Sequence, residues 1–122
     1  MSNASRVQIS VIVPTRDRPE LLRRTLDCLA PGMQTLAPDR YEVIVSDAAR
    51  PPTTAWLASS PPWVRTVEGP ARGPAANRNA GVRAARGAWL AFTDDDTEPR
   101  RDWLEALAKA SADGADVYEG RT

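Results

Sequence analysis

The sequence contains no histidine and only one cysteine and one lysine among its 122 residues. Without histidine, the chain has no imidazole for acid/base catalysis, and nearly every type of zinc site is excluded. The single cysteine, Cys28, cannot form a disulfide within the chain. No apolar run is long enough to cross a bilayer, and the N-terminus lacks the hydrophobic segment of a signal peptide. We therefore expect a soluble, cytoplasmic protein with no transmembrane segment.

The charges of the chain balance, with 16 Lys and Arg against 16 Asp and Glu. No overall field attracts the protein to nucleic acid or to an anionic membrane, so we expect no nucleic-acid partner. Any electrostatic function must be local. All of the positive side chains except Lys109 are arginines, which make bidentate contacts to phosphate.

Two common phosphate-binding motifs are also missing. No G-x-G-x-x-G follows the first predicted strand, and no G-x-x-x-x-G-K-[ST] occurs in the chain. Their absence argues against a dehydrogenase and against a P-loop nucleotidase. The length fits one domain, which we assign to residues 5–122, because residues 1–4 look like a remnant of an expression vector.

Strands and helices alternate along the predicted domain. Apolar, β-branched runs predict strands at residues 7–13, 41–47, 63–67 and 88–92, and a further strand begins at residue 115. Amphipathic or alanine-rich segments bounded by Pro and Gly predict helices at residues 19–30, 75–86 and 102–112. This order predicts an α/β sandwich with a mainly parallel sheet.

Three consecutive carboxylates, Asp94, Asp95 and Asp96, directly follow the fourth predicted strand. In an extended backbone, Asp94 and Asp96 point to one side and Asp95 to the other. Like charges gathered at a sheet edge need a compensating cation, and hard oxygen ligands suit Mg²⁺ or Mn²⁺. The alternative is a solvated turn that leads into the helix at Asp102.

Polar residues follow two other strands in the same way. The loop from Thr15 to Arg18 follows the first strand, and Asp47 ends the second. Ligands of parallel α/β sheets bind beyond the carboxyl ends of the strands. Arg78 lies in an early turn of an alanine-rich helix, where its side chain either binds a ligand or makes the helix surface soluble. Together these residues predict a site for an anionic ligand with a metal.

The residues at these strand ends resemble the family 2 glycosyltransferases with the GT-A fold. The similar segments are Ser10 to Pro19, Ile44 to Asp47, Ala76 to Gly81, Ala85 to Gly87 and Ala91 to Asp96. The resemblance implies a Rossmann-like GT-A fold and transfer of a sugar from a nucleotide diphosphate donor, with inversion and with Mg²⁺ or Mn²⁺.

The resemblance also implies roles for individual residues. Pro14, Thr15 and Arg18 would line the nucleotide pocket, Asp47 would contact the base, and Arg78 would approach the base or the diphosphate. Asp94 would lie near the ribose, Asp95 would belong to the same donor site, and Asp96 would hold the metal.

The resemblance covers the donor-binding half of such an enzyme. Members of this family carry the general base and the acceptor site well beyond the acidic motif. We therefore expect the base to lie beyond residue 122 and the chain to be truncated. The acceptor stays unidentified. One alternative is a non-catalytic nucleotide-binding or interaction module, and under either interpretation an unfinished sheet edge would favour a homodimer. Another is a nucleotidyltransferase, which would carry a Gly-rich loop after the first strand.

Overall fold

The computed structural model describes residues 7–57 and 63–114. Their core is one sheet of four parallel strands in the order β3-β2-β1-β4. The strands are β1 (Ile9–Thr15), β2 (Tyr41–Asp47), β3 (Val64–Glu68) and β4 (Trp89–Phe92). The predicted parallel α/β architecture is therefore confirmed, whereas the strand expected from residue 115 onward lies outside the described residues.

Three helices connect or follow the strands. They are α1 (Pro19–Leu29), α2 (Pro74–Ala84) and α3 (Trp103–Ala112), and short 3-10 turns form at Pro38–Arg40 and Ala55–Leu57. Both α1 and α2 begin with proline, whose fixed φ suits the first helical turn and whose missing N–H costs nothing there. In the described part of the chain, no helix has the length and apolar character needed to span a membrane.

The main core lies between the sheet and the helices α1 and α3. Alternate residues of β1 and β2 face this side, because side chains in a strand point to opposite faces in turn. The fully buried members of this core include Val11, Val13, Val43, Val45, Leu22, Leu29 and Leu104. Burial of these side chains, each worth about 1.5–3 kcal/mol, holds α1 and α3 against the sheet.

The opposite face of the sheet is covered by α2. This helix is rich in alanine and carries Gly81, so its backbone approaches the sheet closely. A Cβ atom on Gly81 would lie 2.7 Å from Cγ2 of Ile12, so a larger residue at this position would force the helix away from β1. The close contact fixes the distance between α2 and β1, and the first turn of the same helix borders a cleft at the carboxyl ends of the strands.

The helix α2 ends at Ala84, whereas the sequence pattern predicts a helix up to Arg86. Two hydrogen bonds explain the earlier end. The Arg86 N–H donates to Oε2 of Glu42 at 2.7 Å, and the Gly87 N–H donates to Oγ of Ser10 at 2.8 Å. The Glu42 carboxylate also accepts from Ser10 Oγ at 2.6 Å and from Arg65 Nη2 at 2.7 Å. This buried network draws the residues after Ala84 into an extended path towards β4.

The same network lowers the pKa of Glu42 from its ordinary value of 4.5. Burial acts to raise this pKa, but the hydrogen bonds from Ser10, the Arg86 N–H and Arg65, together with the Arg65 charge, outweigh it. The ionised carboxylate therefore stabilises the fold at pH values above the pKa of the unfolded chain. That stabilisation is lost as the pH falls through the lower pKa of the folded state.

We expect Glu42→Gln to lower the free energy of unfolding at neutral pH and to make it less sensitive to acid. Urea unfolding of both proteins at several values from about pH 7 down to about pH 3 measures the two effects. Glu20→Gln, on the exposed side of α1, is the matched control and should leave the acid dependence unchanged. An acid dependence of Glu42→Gln equal to that of the wild type would contradict the role given to this carboxylate.

Candidate functional site

A cleft of about 450 Å³ opens at the carboxyl ends of β1 and β4. Its walls come from the loop between β1 and α1, the start of α2 and the turn after β4. Since the chain continues from β1 to β2 on one side and β4 pairs with β1 on the other, the cleft lies where the strand order reverses, as in other open α/β sheets. The residues predicted for the site that line this cleft are Pro14, Thr15, Arg18, Arg78, Asp94, Asp95 and Asp96.

The loop between β1 and α1 directs an arginine towards the aspartates. Asp17 adopts a φ of 58°, a left-handed conformation that turns the chain sharply before the helix. Arg18 then occupies the N-cap of α1, where its carbonyl oxygen accepts from the Leu22 N–H at 2.9 Å but its side chain makes no capping hydrogen bond. Its Nη1 lies 3.4 Å from Oδ1 of Asp95 and 3.7 Å from Oδ2 of Asp96. The Arg18 side chain is about half exposed, so these ion pairs are weak and leave the guanidinium open to a ligand.

The three aspartates have different environments. Asp95 is buried and accepts a hydrogen bond from Thr15 Oγ1 at 2.7 Å, whereas Asp94 and Asp96 are exposed. Although Asp95 was expected to point away from its two neighbours, an oxygen of Asp95 and an oxygen of Asp96 both approach Arg18 Nη1, at 3.4 and 3.7 Å. The reason is a turn at Asp95 and Asp96, where the backbone leaves the extended conformation on which the alternation rule depends. Asp95 therefore joins β1 to the acidic turn, and its neighbours face solvent.

Threonine side chains hold this acidic turn in place. Thr25 of α1 donates from Oγ1 to the carbonyl oxygen of Thr97 at 2.6 Å. The hydroxyls of Thr93 and Thr97 lie 2.6 Å apart, and Thr97 Oγ1 donates to the carbonyl oxygen of Asp94 at 3.0 Å. The aspartates are thus carried by a turn that is fixed to α1 at Thr97 and to β1 at Thr93, whose N–H donates to the Ile12 carbonyl oxygen, and this limits the energy needed to order them on binding.

A buried glutamine extends this support towards α3. Gln34 donates from Nε2 to the carbonyl oxygens of Cys28 at 3.0 Å and Arg100 at 2.7 Å. Its Oε1 accepts from the Leu104 N–H at 3.2 Å. This role could not be predicted from the sequence, since a glutamine in a loop gives no local signal of burial. Gln34 connects the end of α1 to the segment that follows the aspartates.

The α2 wall of the cleft is fixed by Asn77, which the sequence analysis also did not assign to the site. Asn77 donates from Nδ2 to the carbonyl oxygen of Thr15 at 3.2 Å and accepts from Ser46 Oγ at Oδ1 at 2.6 Å. A Cβ atom on Gly69 would lie only 1.7 Å from this Oδ1, so the site requires glycine there. Asn77 thus joins α2 to the ends of β1 and β2, which positions Arg78 beside it.

Arg16 and Arg78 supply positive charge to the cleft without a carboxylate partner among the described residues. Arg78 instead lies over the ring of Phe92, with its Cζ 5.7 Å from the ring centroid. A guanidinium that is not neutralised by the protein attracts anions and can bind phosphate oxygens in bidentate fashion. The cleft therefore presents positive and negative groups side by side.

The hydrogen-bond donors to the Asp47 carboxylate all lie in the loop after β2, whereas its predicted role is contact with the base of a nucleotide. It is buried and does not line the cleft. Its Oδ1 accepts from the Ala49 N–H at 2.9 Å, and its Oδ2 accepts from the Thr53 N–H and from Thr54 Oγ1, both at 2.9 Å. The carboxylate thus folds the loop after β2, and through it positions Ala48, which does line the cleft. Its predicted contact with a base stays a prediction.

The oxygen donors of the cleft can take part in binding a divalent cation. Within residues 7–57 and 63–114, no three acidic, histidine or cysteine side chains are gathered closely enough to hold a metal by themselves. Asp94 and Asp96 nevertheless offer exposed carboxylates beside unpaired arginines. Mg²⁺ and similar hard cations are commonly held by one or two carboxylates together with phosphate oxygens of a ligand. The donor set fits a metal that binds together with a phosphorylated ligand.

A parallel sheet with a cleft at the reversal of strand order, lined by arginines and carboxylates, places the chain in the class of open α/β folds, whose ligands bind beyond the carboxyl ends of the strands. The family model described as glycosyl transferase family 2 matches residues 10–121. The chain therefore belongs to the family 2 glycosyltransferases, as its motifs predict, and it corresponds to the N-terminal portion of enzymes with the GT-A fold.

Individual relatives agree with this assignment. Glycosyltransferase AglE of Haloferax volcanii is 30% identical over 118 residues, covering 92% of this chain and 38% of that protein. The mannosyltransferase PcManGT from Pyrobaculum calidifontis was solved in complex with GDP-Man and Mn²⁺. It has a TM-score of 0.74 and 32% identity to this chain, and the match covers 89% of this chain and 33% of the PcManGT chain. S. aureus TarS 1-349 in complex with UDP-GlcNAc, at 23% identity and a TM-score of 0.72, shares the fold. The chain thus spans well under half of each relative.

Proposed function

We propose that the cleft binds a nucleotide diphosphate sugar and that this chain forms the donor-binding part of a metal-assisted glycosyltransferase. The observation that carries the proposal is that Arg16 and Arg78, which have no carboxylate partner among the described residues, line the same cleft as the exposed Asp94 and Asp96. Arginines alone would suit any anion, and carboxylates alone would suit any cation. A ligand that brings both a diphosphate and a metal satisfies the two sets of groups together.

The positive groups of the cleft would bind the diphosphate. Arg78 and the first turn of α2 lie on one wall, where Gly73 at the N-cap contributes no side chain and the first turn has no side-chain cap. Free N–H groups at a helix start favour anions, and the guanidinium adds a full charge. Arg16 and Arg18 approach from the opposite loop. Breaking the bond between sugar and diphosphate leaves negative charge on the diphosphate, which these groups would stabilise.

The exposed carboxylates would take part in holding Mg²⁺ or Mn²⁺, and we assign this role to Asp96. When bound, such a cation would supply Lewis-acid stabilisation of the leaving diphosphate. The two exposed carboxylates have separate roles in this proposal, because Asp94 would contact the ribose. Asp95 would act indirectly, since its bonds to Thr15 and Arg18 keep the loop after β1 against the acidic turn. PcManGT, solved with GDP-Man and Mn²⁺, supports this choice of ligand and metal.

The remaining expectations from the sequence keep their status as predictions. They include inversion at the sugar carbon, the role of Pro14 and Thr15 in the nucleotide pocket, the cytoplasmic location and the homodimer. No residue of this chain is assigned as the general base. The acceptor stays unidentified. Binding of the donor and turnover are thus separate questions, and the experiment below addresses binding.

A thermal shift panel tests the proposed function. The protein is heated with UDP, GDP, ADP or CDP, each with and without Mn²⁺. A ligand that binds only the folded state raises the melting temperature, and a concentration of about 100 times Kd adds about 2.7 kcal/mol of stability. We expect at least one nucleotide to stabilise the protein and Mn²⁺ to increase the effect. Stabilisation by Mn²⁺ alone to the same extent, or none by any nucleotide, would contradict the proposal.

A further inference from the structure

The cleft has a charged end and an end lined by small residues. The strand order places β4 on one side of β1, and β2 and β3 on the other. The acidic turn follows β4, whereas Ala48 follows β2 and Ala71 follows β3, and all of them line the cleft. The end formed by Ala48 and Ala71, here called the alanine end, is bounded by two loops. They are the β2 loop (residues 48–54) and the β3 loop (residues 69–73).

A single arginine side chain connects these two loops. Arg50, in the β2 loop, donates from Nη2 to the carbonyl oxygen of Gly69 at 2.7 Å and from Nη1 to the carbonyl oxygen of Ala49 at 3.0 Å. The same Nη2 lies 3.1 Å from Oε1 of Glu68, whose side chain is 74% exposed, so this ion pair is weak. The bonds from the charged guanidinium to the two carbonyl oxygens are the stronger contacts. Arg50 does not itself line the cleft.

The backbone of the β2 loop is ordered on both sides of this arginine. The Asp47 carboxylate accepts from the N–H groups of Ala49 and Thr53, one before the arginine and one after it. Trp56 donates from Nε1 to the carbonyl oxygen of Thr53 at 2.9 Å, and its ring lies 4.2 Å from Cζ of Arg23 on α1. The guanidinium is therefore carried by a loop that is fixed to β2 and to α1, rather than by a freely moving surface segment.

The bond from Arg50 sets the start of the β3 loop. The Gly69 N–H donates to the carbonyl oxygen of Asp47 at 2.8 Å, which continues the ladder between β2 and β3. The Gly69 carbonyl oxygen is held by Arg50, and the chain continues from there to Ala71. The Ala48 N–H donates to the carbonyl oxygen of Thr15 at 3.0 Å, so the other side of the alanine end is tied to β1. Arg50 thus fixes one loop of this end relative to the other.

We infer that Arg50 is a positioning residue that fixes the width of the alanine end and thereby sets the preference of the cleft for one nucleobase. This inference rests on the proposed function, in which the diphosphate and the metal lie at the charged end and the nucleoside extends to the alanine end. Purines and pyrimidines differ in size. A slot with fixed walls discriminates between them, whereas mobile loops adapt to either. Walls that are ordered before binding also reduce the cost of binding the preferred base.

Four variants separate the contacts of this arginine. Arg50→Met keeps the length of the side chain and removes every donor, and Arg50→Lys keeps the charge and a donor for the Gly69 carbonyl oxygen. Glu68→Gln removes only the ion pair. Arg83→Met is the matched control, since Arg83 is an exposed arginine in the last turn of α2 that does not line the cleft. Calorimetric titration of each variant with UDP, CDP, GDP and ADP, with and without Mn²⁺, measures the affinities, and urea unfolding measures stability.

We expect Arg50→Met to weaken binding of the nucleotide that the wild type prefers about threefold to tenfold, and binding of the others by less than about twofold. The factor by which Mn²⁺ raises affinity should stay the same, because the metal binds at the charged end. Arg50→Lys should keep most of the preference, and Glu68→Gln and Arg83→Met should keep all of it. Amide hydrogen exchange of Gly69 should be faster in Arg50→Met than in the wild type.

A loss of stability alone would not narrow the preference among bases, so the test distinguishes positioning from a general effect on the fold. An unchanged preference in Arg50→Met, or an equal loss for all four nucleotides, would overturn the inference, as would a wild type that binds all four equally. Unchanged exchange of the Gly69 amide would also overturn it. A wild-type protein that binds no nucleotide would instead overturn the proposed donor site, and the role of Arg50 with it.

Discussion

Replacing Asp96 by asparagine is expected to remove the part of nucleotide binding that depends on a divalent metal. The substitution keeps the size of the side chain but removes the negative charge that a hard cation needs. Loss of groups that only support metal ligands already costs about 10–100-fold in affinity, so loss of the ligand itself should cost at least about 100-fold. In titrations with UDP or GDP, the affinity of Asp96→Asn in Mn²⁺ should equal the affinity measured without metal.

Asp102→Asn provides the matched control for this experiment. Asp102 is an exposed aspartate outside the cleft that pairs with Arg100, and asparagine is an equally good residue at its helix N-cap position. Its nucleotide affinity should keep the full dependence on Mn²⁺. Metal-dependent binding that survives in Asp96→Asn would show that the cation is held elsewhere in the cleft.

Replacing Asp47 by alanine is expected to destabilise the fold by about 2–4 kcal/mol, because two backbone N–H groups and one hydroxyl lose their acceptor at a buried position. The loop after β2 would lose the contacts that position it beside the cleft. Urea unfolding measures the change in stability. This is a large effect for a single substitution, and it arises from hydrogen bonds rather than from core packing.

Asp47→Asn distinguishes the effect of losing hydrogen-bond acceptors from the effect of losing the whole side chain. The amide keeps one oxygen acceptor but replaces the other with a donor. The stability of Asp47→Asn should therefore lie between that of the wild type and that of Asp47→Ala. The exposed Asp27→Ala on α1 should change stability by less than about 0.5 kcal/mol. An Asp47→Ala protein as stable as the wild type would contradict the anchoring role.

The order of strands and helices could be read from the sequence because each element carries a local signal. The β-branched run of β1 stops at the end of the strand, and Pro19 and Pro74 start their helices. The end of α2 could not be read in this way. The residues up to Arg86 have the composition of a helix, and what ends it is a carboxylate on β2, far away in the chain. Long-range hydrogen bonds leave no periodic pattern in the sequence.

The position of the site could also be predicted, because the carboxyl ends of parallel strands meet at one edge of the sheet. Thr15 and the acidic turn are distant in sequence, yet this rule brings them together, and the structure joins them by the bond from Thr15 to Asp95. The rule says less about individual side chains. It could not show that Asp47 is turned into the loop after β2, nor that Asn77 connects α2 to β1.

The exposed ring of Phe92 illustrates a further limit. In the sequence, Phe92 belongs to an apolar strand and looks like an ordinary core residue. Only the order of strands shows that β4 lies beyond the part of the sheet that α2 covers, so that Phe92 keeps 47% of its surface exposed among the described residues.

The central claim is that a nucleotide diphosphate and a divalent metal bind together in the cleft at the carboxyl ends of β1 and β4. Paramagnetic broadening of backbone amide NMR signals by Mn²⁺ in the presence of a nucleotide diphosphate tests it most directly. We predict the strongest broadening at residues 15–18, 73, 75–78 and 94–97, with clearly weaker broadening at Tyr41 and Trp89 at the opposite ends of their strands. Broadening centred elsewhere, or equally strong without the nucleotide, would contradict the claim.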